Sequence, residues 1–226
     1  MAEKLKRPID SWGNLRIIPV DIILLLDATG ANQLLIDHVK EKLTELFDKF
    51  GHERIKSFCR WRIVTFKDLE FDGPDAIDNS NPFVSKLEQL KQQFEKINCG
   101  GGGDEPESIL DALYVAAQKT DWKEIGQARR FILLFTDSYP HEELHSNTIE
   151  AGADNSINAV LQEISRKRIK LYIVAPEHKI YSKLAMLPKS HYYKVEEMDN
   201  LDAFFEMLLH ETQKRTASPF FVPKKI

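Results

Sequence analysis

Three nearly continuous apolar runs constrain this chain more than anything else in it: LRIIPVDIILLLD (15–27), RRFILLFTD (129–137) and IKLYIVAPE (169–177). A strand with one wet face alternates apolar and polar residues, whereas runs of this kind mark strands covered on both faces, the habit of parallel sheets. Amphipathic segments lie between them. Helical spacing predicts helices over 33–51, 84–97, 106–120, 155–168 and 201–215, with a shorter one in IYSKLAMLP. Gly51 follows the first helix as a stop, and Pro106 suits the first turn of the third. IKSFCRWRIVTFKD (55–68) reads as a strand and HYYKV (191–195) as a short one, while 69–83 reads as a long polar loop with room for a short edge hairpin. Strands alternating with helices from end to end predict an α/β fold of three layers: an open, mostly parallel, Rossmann-like sheet with helices on both faces.

A length of 226 residues fits one large domain. The pattern divides it into an N-terminal arm (1–14), the domain itself (15–215) and a C-terminal tail (216–226). The tail holds Phe220, Phe221 and Val222, either packed back on the domain or offered to a partner. A net charge of −4 gives no general attraction to nucleic acid or to an anionic membrane. The longest apolar runs, IILLL and FILLF, fall far short of the roughly 20 residues of a membrane span. The N-terminus has no apolar signal core. Cys59 and Cys99 make neither a disulfide framework nor a zinc pattern, so a reduced, cytoplasmic setting is expected.

Ligands of open α/β sheets bind outside the carboxyl ends of the strands. Two of the three apolar runs reach an aspartate there, Asp27 in LLLDATGAN and Asp137 in LLFTDSYPH. A run of four glycines, which no packed core requires, leads into Asp104, Glu105 and Glu107 in CGGGGDEPESILDAL. Taken singly, each acid is accounted for as a turn residue, a helix cap or a first-turn charge. Taken together, three oxygen-rich segments at one rim suit a hard cation, with Thr29 and Ser138 adding hydroxyls.

These segments resemble the von Willebrand factor A domain family. VDIILLLDATGAN is similar to its first strand and the first loop of its metal-ion-dependent adhesion site, Asp-x-Ser-x-Ser, often Asp-x-Thr-Gly-Ser in bacterial and kinase-associated members. GGGDEPESILDAL resembles the second metal loop of the branch carrying Gly-Gly-Gly-Asp-x-Pro-Glu, and the Asp-x-Pro-Glu loop of integrin β subunits. LLFTDSYPH resembles the third loop. The resemblance implies a metal site of Asp27, Thr29, Glu107 and Asp137, with Asp104 as a flanking or supporting acid. It further implies magnesium, or manganese or calcium, whose open position takes an acidic side chain of another protein. Ala31 stands where the third first-loop member, a serine, belongs, so the site is degenerate and its affinity weak, with Asn32 next to it as the residue that could substitute for the missing ligand. Stand-alone members of this size resemble components of bacterial stress-response and conflict systems.

Three classes of function follow from these residues. The first is a metal-dependent protein-interaction module. The second is a hydrolase: DATG resembles the haloacid-dehalogenase phosphatases, with Asp27 as nucleophile, but their acid–base aspartate would fall at Thr29. GGGGDEPES lacks the Gly-Lys-Ser/Thr ending of a phosphate loop, and its acids repel phosphate. The third is a structural domain whose metal site does not function. No nucleophile–base set has a persuasive context, so the expectation is a binding module rather than an enzyme. His141 is read as a surface residue or a rim contact. Lys67 and Asp68 are expected at the rim, or as an exposed ion pair.

Overall fold

The computed structural model describes residues 19–52, 55, 58–103 and 105–194. The arm, the helix expected at 201–215, the tail and Asp104 lie outside these residues.

Five parallel strands form one sheet: β1 (Val20–Asp27), β2 (Cys59–Phe66), β3 (Arg129–Phe135), β4 (Ile169–Ala175) and β5 (His191–Lys194). Their order is β2-β1-β3-β4-β5. Helices α1 (Gln33–Phe50), α2 (Leu69–Asp72), α3 (Leu87–Phe94), α4 (Ile109–Gln118), α5 (Ile157–Arg166) and α6 (Lys179–Ala185) connect them.

Every residue of β1 is buried. Its alternate side chains divide between two cores. Ile22, Leu24 and Leu26 pack with Val39, Leu43 and Phe47 of α1 and with Leu90 and Phe94 of α3. Ile23 and Leu25 pack with Ile109, Leu113 and Ala116 of α4, with Val160 and Ile164 of α5, and with Leu184 of α6. A strand with apolar neighbours on both faces needs the unbroken run seen in the sequence. α4 lies between sheet and solvent-side elements and is apolar nearly all round, with eight of its ten residues buried.

The sheet order places a reversal at β1. The connection after β1 runs to β2 on one side and the connection after β3 runs to β4 on the other, so the loops leaving the carboxyl ends of these adjacent strands part and open a crevice between them. Asp27 is the last residue of β1 and pairs with Phe66; Leu26 pairs with Phe135, which puts Asp137 two residues beyond the end of the adjacent strand.

Three expectations shift. α4 begins at Ile109, behind Ser108 at its cap position, so Pro106 lies outside it. The reason is that the Glu107 backbone is taken by the third loop: its N–H donates to Tyr139 O (2.8 Å) and its carbonyl accepts from His141 N (3.0 Å). The 69–83 segment opens with α2 and then runs back along the edge strand β2, touching it in antiparallel bridges at Asp78 and Val84 rather than forming a hairpin strand. The strand expected over 55–68 is confined to Cys59–Phe66, because Asp68 turns to cap α2 by accepting from Glu70 N (3.2 Å).

Candidate functional site

Four loops meet at the crevice. The β1–α1 loop carries Asp27, Thr29 and, at the end of a single 3₁₀ turn, Asn32. The β2–α2 junction carries Asp68, and α2 carries Phe71 and Asp72. The glycine loop leads to Glu107, and the loop after β3 carries Asp137, Ser138 and Tyr139.

Asp27 is 1% exposed, so its carboxylate has to be satisfied from within. Oδ1 accepts from the Thr29 hydroxyl (2.7 Å) and from Thr29 N–H (3.0 Å), and Oδ2 accepts from the Thr136 hydroxyl (2.6 Å). Burial pushes the Asp27 carboxyl above its ordinary range, and these three donors oppose it. Because Thr29 gives its proton to Asp27, it turns a lone pair outward. Asn32 Nδ2 donates to that oxygen (3.0 Å) and also to Asp137 Oδ1 (2.8 Å). Ser138 Oγ lies 3.2 Å from the same Asp137 oxygen. One hydrogen-bonded chain thus runs Thr136–Asp27–Thr29–Asn32–Asp137 across the crevice.

Glu107 stands outside this chain. It is 3% exposed and its Oε2 has no donor among the described residues. Burial, then the carboxylates of Asp27, Asp68 and Asp72, push its carboxyl up to about 8. The glycine loop forms the roof. Gly102 N–H donates to Asp72 Oδ2 (2.8 Å). At φ +85°, a Cβ on Gly102 would lie 2.4 Å from Thr29 Cγ2 and 2.9 Å from Glu107 Oε1. On Gly101 it would lie 1.9 Å from Asp72 Oδ1. The glycines are there because a side chain would collide with the residues the loop covers.

Asp27, Thr29, Glu107 and Asp137 therefore lie at one crevice, and both Thr29 and Glu107 border the space that Gly102 leaves free. Asp104 lies outside the described residues. Among those described, no three His, Cys, Asp or Glu side chains stand in a group that could hold a metal. The oxygens suit a hard cation chemically, and the bare Oε2 of Glu107 lacks a partner. Between Thr29 and Asp137, however, the Asn32 amide already fills the place, so the rim as folded does not fit a cation there.

Three features went unread in the sequence. Thr136 was passed over, although its position immediately before Asp137 places it at the rim. Asn32, expected only as a substitute for the ligand missing at Ala31, is instead a donor to Thr29 and Asp137. Asp68, Ser108 and His141 form a buried cluster: Asp68 Oδ1 accepts from Ser108 Oγ (3.1 Å) and meets His141 Nε2 (2.9 Å), and Ser108 Oγ accepts from Leu69 N–H (2.8 Å). Serine and histidine both face the aspartate rather than each other, and Ser108 has no exposed surface, so the trio ties α2, α4 and the third loop together and presents no nucleophile. Of the two readings of Lys67 and Asp68, Asp68 follows the first: it is buried at the rim and bonded to Ser108 and His141 rather than forming an exposed pair with Lys67.

Five large apolar side chains are exposed among the described residues: two, Phe71 (66%) and Tyr139 (43%), sit on the segments just named, and a third, Leu34 (82%), lies in the first turn of α1 directly after the first of them.

The von Willebrand factor A domain model matches residues 21–197, and the chain belongs to that family. No curated protein matches it. Among solved structures it is similar to the pilus adhesin SpaC of Lactobacillus rhamnosus GG, at 11% identity and a TM-score of 0.59, over 86% of this chain and 30% of that one. It is also similar to proximal thread matrix protein 1 of the mussel byssus, at 13% identity and a TM-score of 0.56, over 85% of this chain and 47% of that one. The chain spans less than half the length of either protein, and at these identities the likeness is one of fold. No helix among the described residues is long and apolar enough to cross a membrane.

Proposed function

We infer that the chain is a protein-interaction module whose docking face is the loop rim around Asp27, Glu107 and Asp137. The observation that carries this reading is the exposure of Leu34, Phe71 and Tyr139 in or beside the rim segments, around polar groups of which Glu107 Oε2 is left without a donor. Apolar groups ringing a polar centre are the usual make-up of a contact surface. In its finer form the reading includes a divalent cation, magnesium, manganese or calcium. It would be held weakly by Asp27, Thr29, Glu107 and Asp137 once the Asn32 amide gives way, with Asp104 as the flanking acid that the resemblance implies, and would receive an acidic side chain of the partner. The bare Glu107 Oε2 supports this part; the cytoplasmic setting rests on the cysteine usage, and a role in a bacterial stress-response or conflict system on the sequence resemblance alone. The absence of a serviceable nucleophile at Ser108 favours binding over hydrolysis by Asp27, whose two oxygens are both engaged by hydroxyl donors.

The test is capture of a host protein by the intact chain, by a Phe71→Glu, Tyr139→Glu double variant, and by Ile125→Glu as a control at an exposed apolar residue off the rim. A partner retained by the control and lost by the double variant, with both folded by circular dichroism, supports the rim. A partner kept by the double variant overturns it. Retention in EDTA removes the cation from the reading.

A further inference from the structure

The geometry points to Asn32 as a built-in occupant of the cation seat: its side-chain amide bridges the two oxygens, Thr29 Oγ1 and Asp137 Oδ1, that a cation would have to bridge, and holds the rim together without one. This rests on the rim reading above for the location of the seat.

The proton count carries the argument. Thr29 spends its only proton on Asp27 Oδ1, so toward Asn32 it offers a lone pair; Asp137 Oδ1 is a carboxylate oxygen and offers another. Both oxygens lie within reach of one amide nitrogen, so the place between them takes a donor or a cation; Ser138 Oγ, 3.2 Å from Asp137 Oδ1, serves that oxygen alone. Asn32 Nδ2 has two protons and points one at each, at 3.0 and 2.8 Å. Turned over, the amide would set Oδ1 against both acceptors, three lone pairs with no proton among them. The orientation shown is the one a cation-free rim requires, even though it leaves Asn32 Oδ1 buried without a partner.

The amide is also well anchored. Asn32 is 1% exposed and closes a 3₁₀ turn in which its own N–H donates to Thr29 O (3.1 Å). The neighbouring position offers nothing to tilt the balance back. Ala31 is exposed and carries a methyl group where a hydroxyl would give a cation a further ligand. A side chain that supplies two donors to the seat thus coincides with the loss of a ligand beside it. A cation could enter between Thr29 and Asp137 only by displacing the amide.

Manganese binding to the full chain, followed by titration calorimetry and by the electron paramagnetic resonance of free Mn2+, tests this with wild type, Asn32→Ala and Asn32→Asp. Asn32→Ala removes the competing amide and should bind Mn2+ at least about tenfold more tightly than wild type, the scale on which such supporting groups act on metal affinity. Asn32→Asp keeps the shape but replaces the donor by an oxygen. It should melt below wild type in EDTA, recover on adding Mn2+, and bind it more tightly than either. Variants that bind no more tightly than wild type overturn the inference, and weaker binding by Asn32→Ala would mean that Asn32 is a ligand instead. If Asn32→Ala does not fold, Asn32→Asp decides, and an Asn32→Asp chain unaffected by Mn2+ overturns the inference. Mn2+ binding by the variants with none by wild type upholds the inference and removes the cation from the proposed function. Binding by wild type with no gain in the variants does the reverse.

Discussion

Replacing Gly102 by alanine tests the claim that the glycine loop is a roof fitted to Thr29 and Glu107. Two costs add. The first is conformational: at φ +85° an L-residue sits in the left-handed region, at about 1–2 kcal/mol. The second is steric. The new Cβ would stand 2.4 and 2.7 Å from Thr29 Cγ2 and Cβ, and 2.9 Å from Glu107 Oε1, distances that force one of these groups or the loop to move. Thr29 cannot move freely, because its hydroxyl and N–H are both bonded to Asp27. Overpacking of this kind costs about 1–3 kcal/mol. The sum, about 2–5 kcal/mol, corresponds to a fall in Tm of roughly 5–15 °C for a domain of this size. Gly126 supplies the control. Its φ is +91°, but a Cβ there meets nothing within 4 Å, so Gly126→Ala carries the conformational cost alone. Thermal and urea denaturation in EDTA, followed by circular dichroism, measure both. Gly102→Ala should be the more destabilised by at least about 1 kcal/mol, the lower end of the overpacking cost. Equal losses would refute the close approach.

Other outcomes follow from the same geometry. Thr136→Val removes the donor to Asp27 Oδ2 and the acceptor for Ser138 N–H while keeping the shape; urea denaturation should show a loss of about 1–3 kcal/mol, and an unchanged midpoint would show that these bonds are not made. Asp21 is fully buried at the amino end of β1 and takes two hydrogen bonds from Arg60, at 2.8 and 2.7 Å, and one from Lys123 N–H. Asp21→Ala removes these bonds and leaves the partly exposed Arg60 guanidinium only the Phe83 ring, and should cost about 1–3 kcal/mol in the same assay. Burial raises the carboxyl of Asp111, so as pH climbs past 3.8 the unfolded chain gives up this proton before the folded one does. The folded state then binds more protons, and the group's contribution to stability falls until the raised folded value is passed. Asp111→Asn keeps the acceptor for His145 N–H and removes the titration. Its stability relative to wild type should therefore grow from pH 4 to pH 7, and a pH-independent difference would show that Asp111 is not held protonated.

Much of the fold was legible because burial leaves a local trace. The run through β1 is apolar at every position that either core receives, and α1 shows its buried face at helical spacing, so strand, helix and layer follow from periods of two and 3.6. The aspartates at the strand ends and the glycine run were legible for the same reason: a carboxylate after a buried strand and four residues without side chains are local anomalies that a core does not explain. The von Willebrand factor A resemblance then ordered the loops around one rim. The family carried by those motifs is the one whose model matches the chain.

The chemistry of the rim was decided elsewhere. Asn32 and Asp137 are 105 positions apart, and Thr136 and Asp27 are 109 apart. No periodicity couples such pairs; they meet only because β1 lies beside β3 in the order β2-β1-β3-β4-β5 and because the 3₁₀ turn aims one amide across the gap. Sequence alone showed a methyl group at Ala31 where the resemblance implies a hydroxyl, and so led to an expectation of weak cation binding. Only the tertiary structure showed that a neighbouring amide has moved into the gap, because a hydrogen bond depends on the direction of a donor to within a fraction of an ångström, and that direction is set by the packing of the whole crevice.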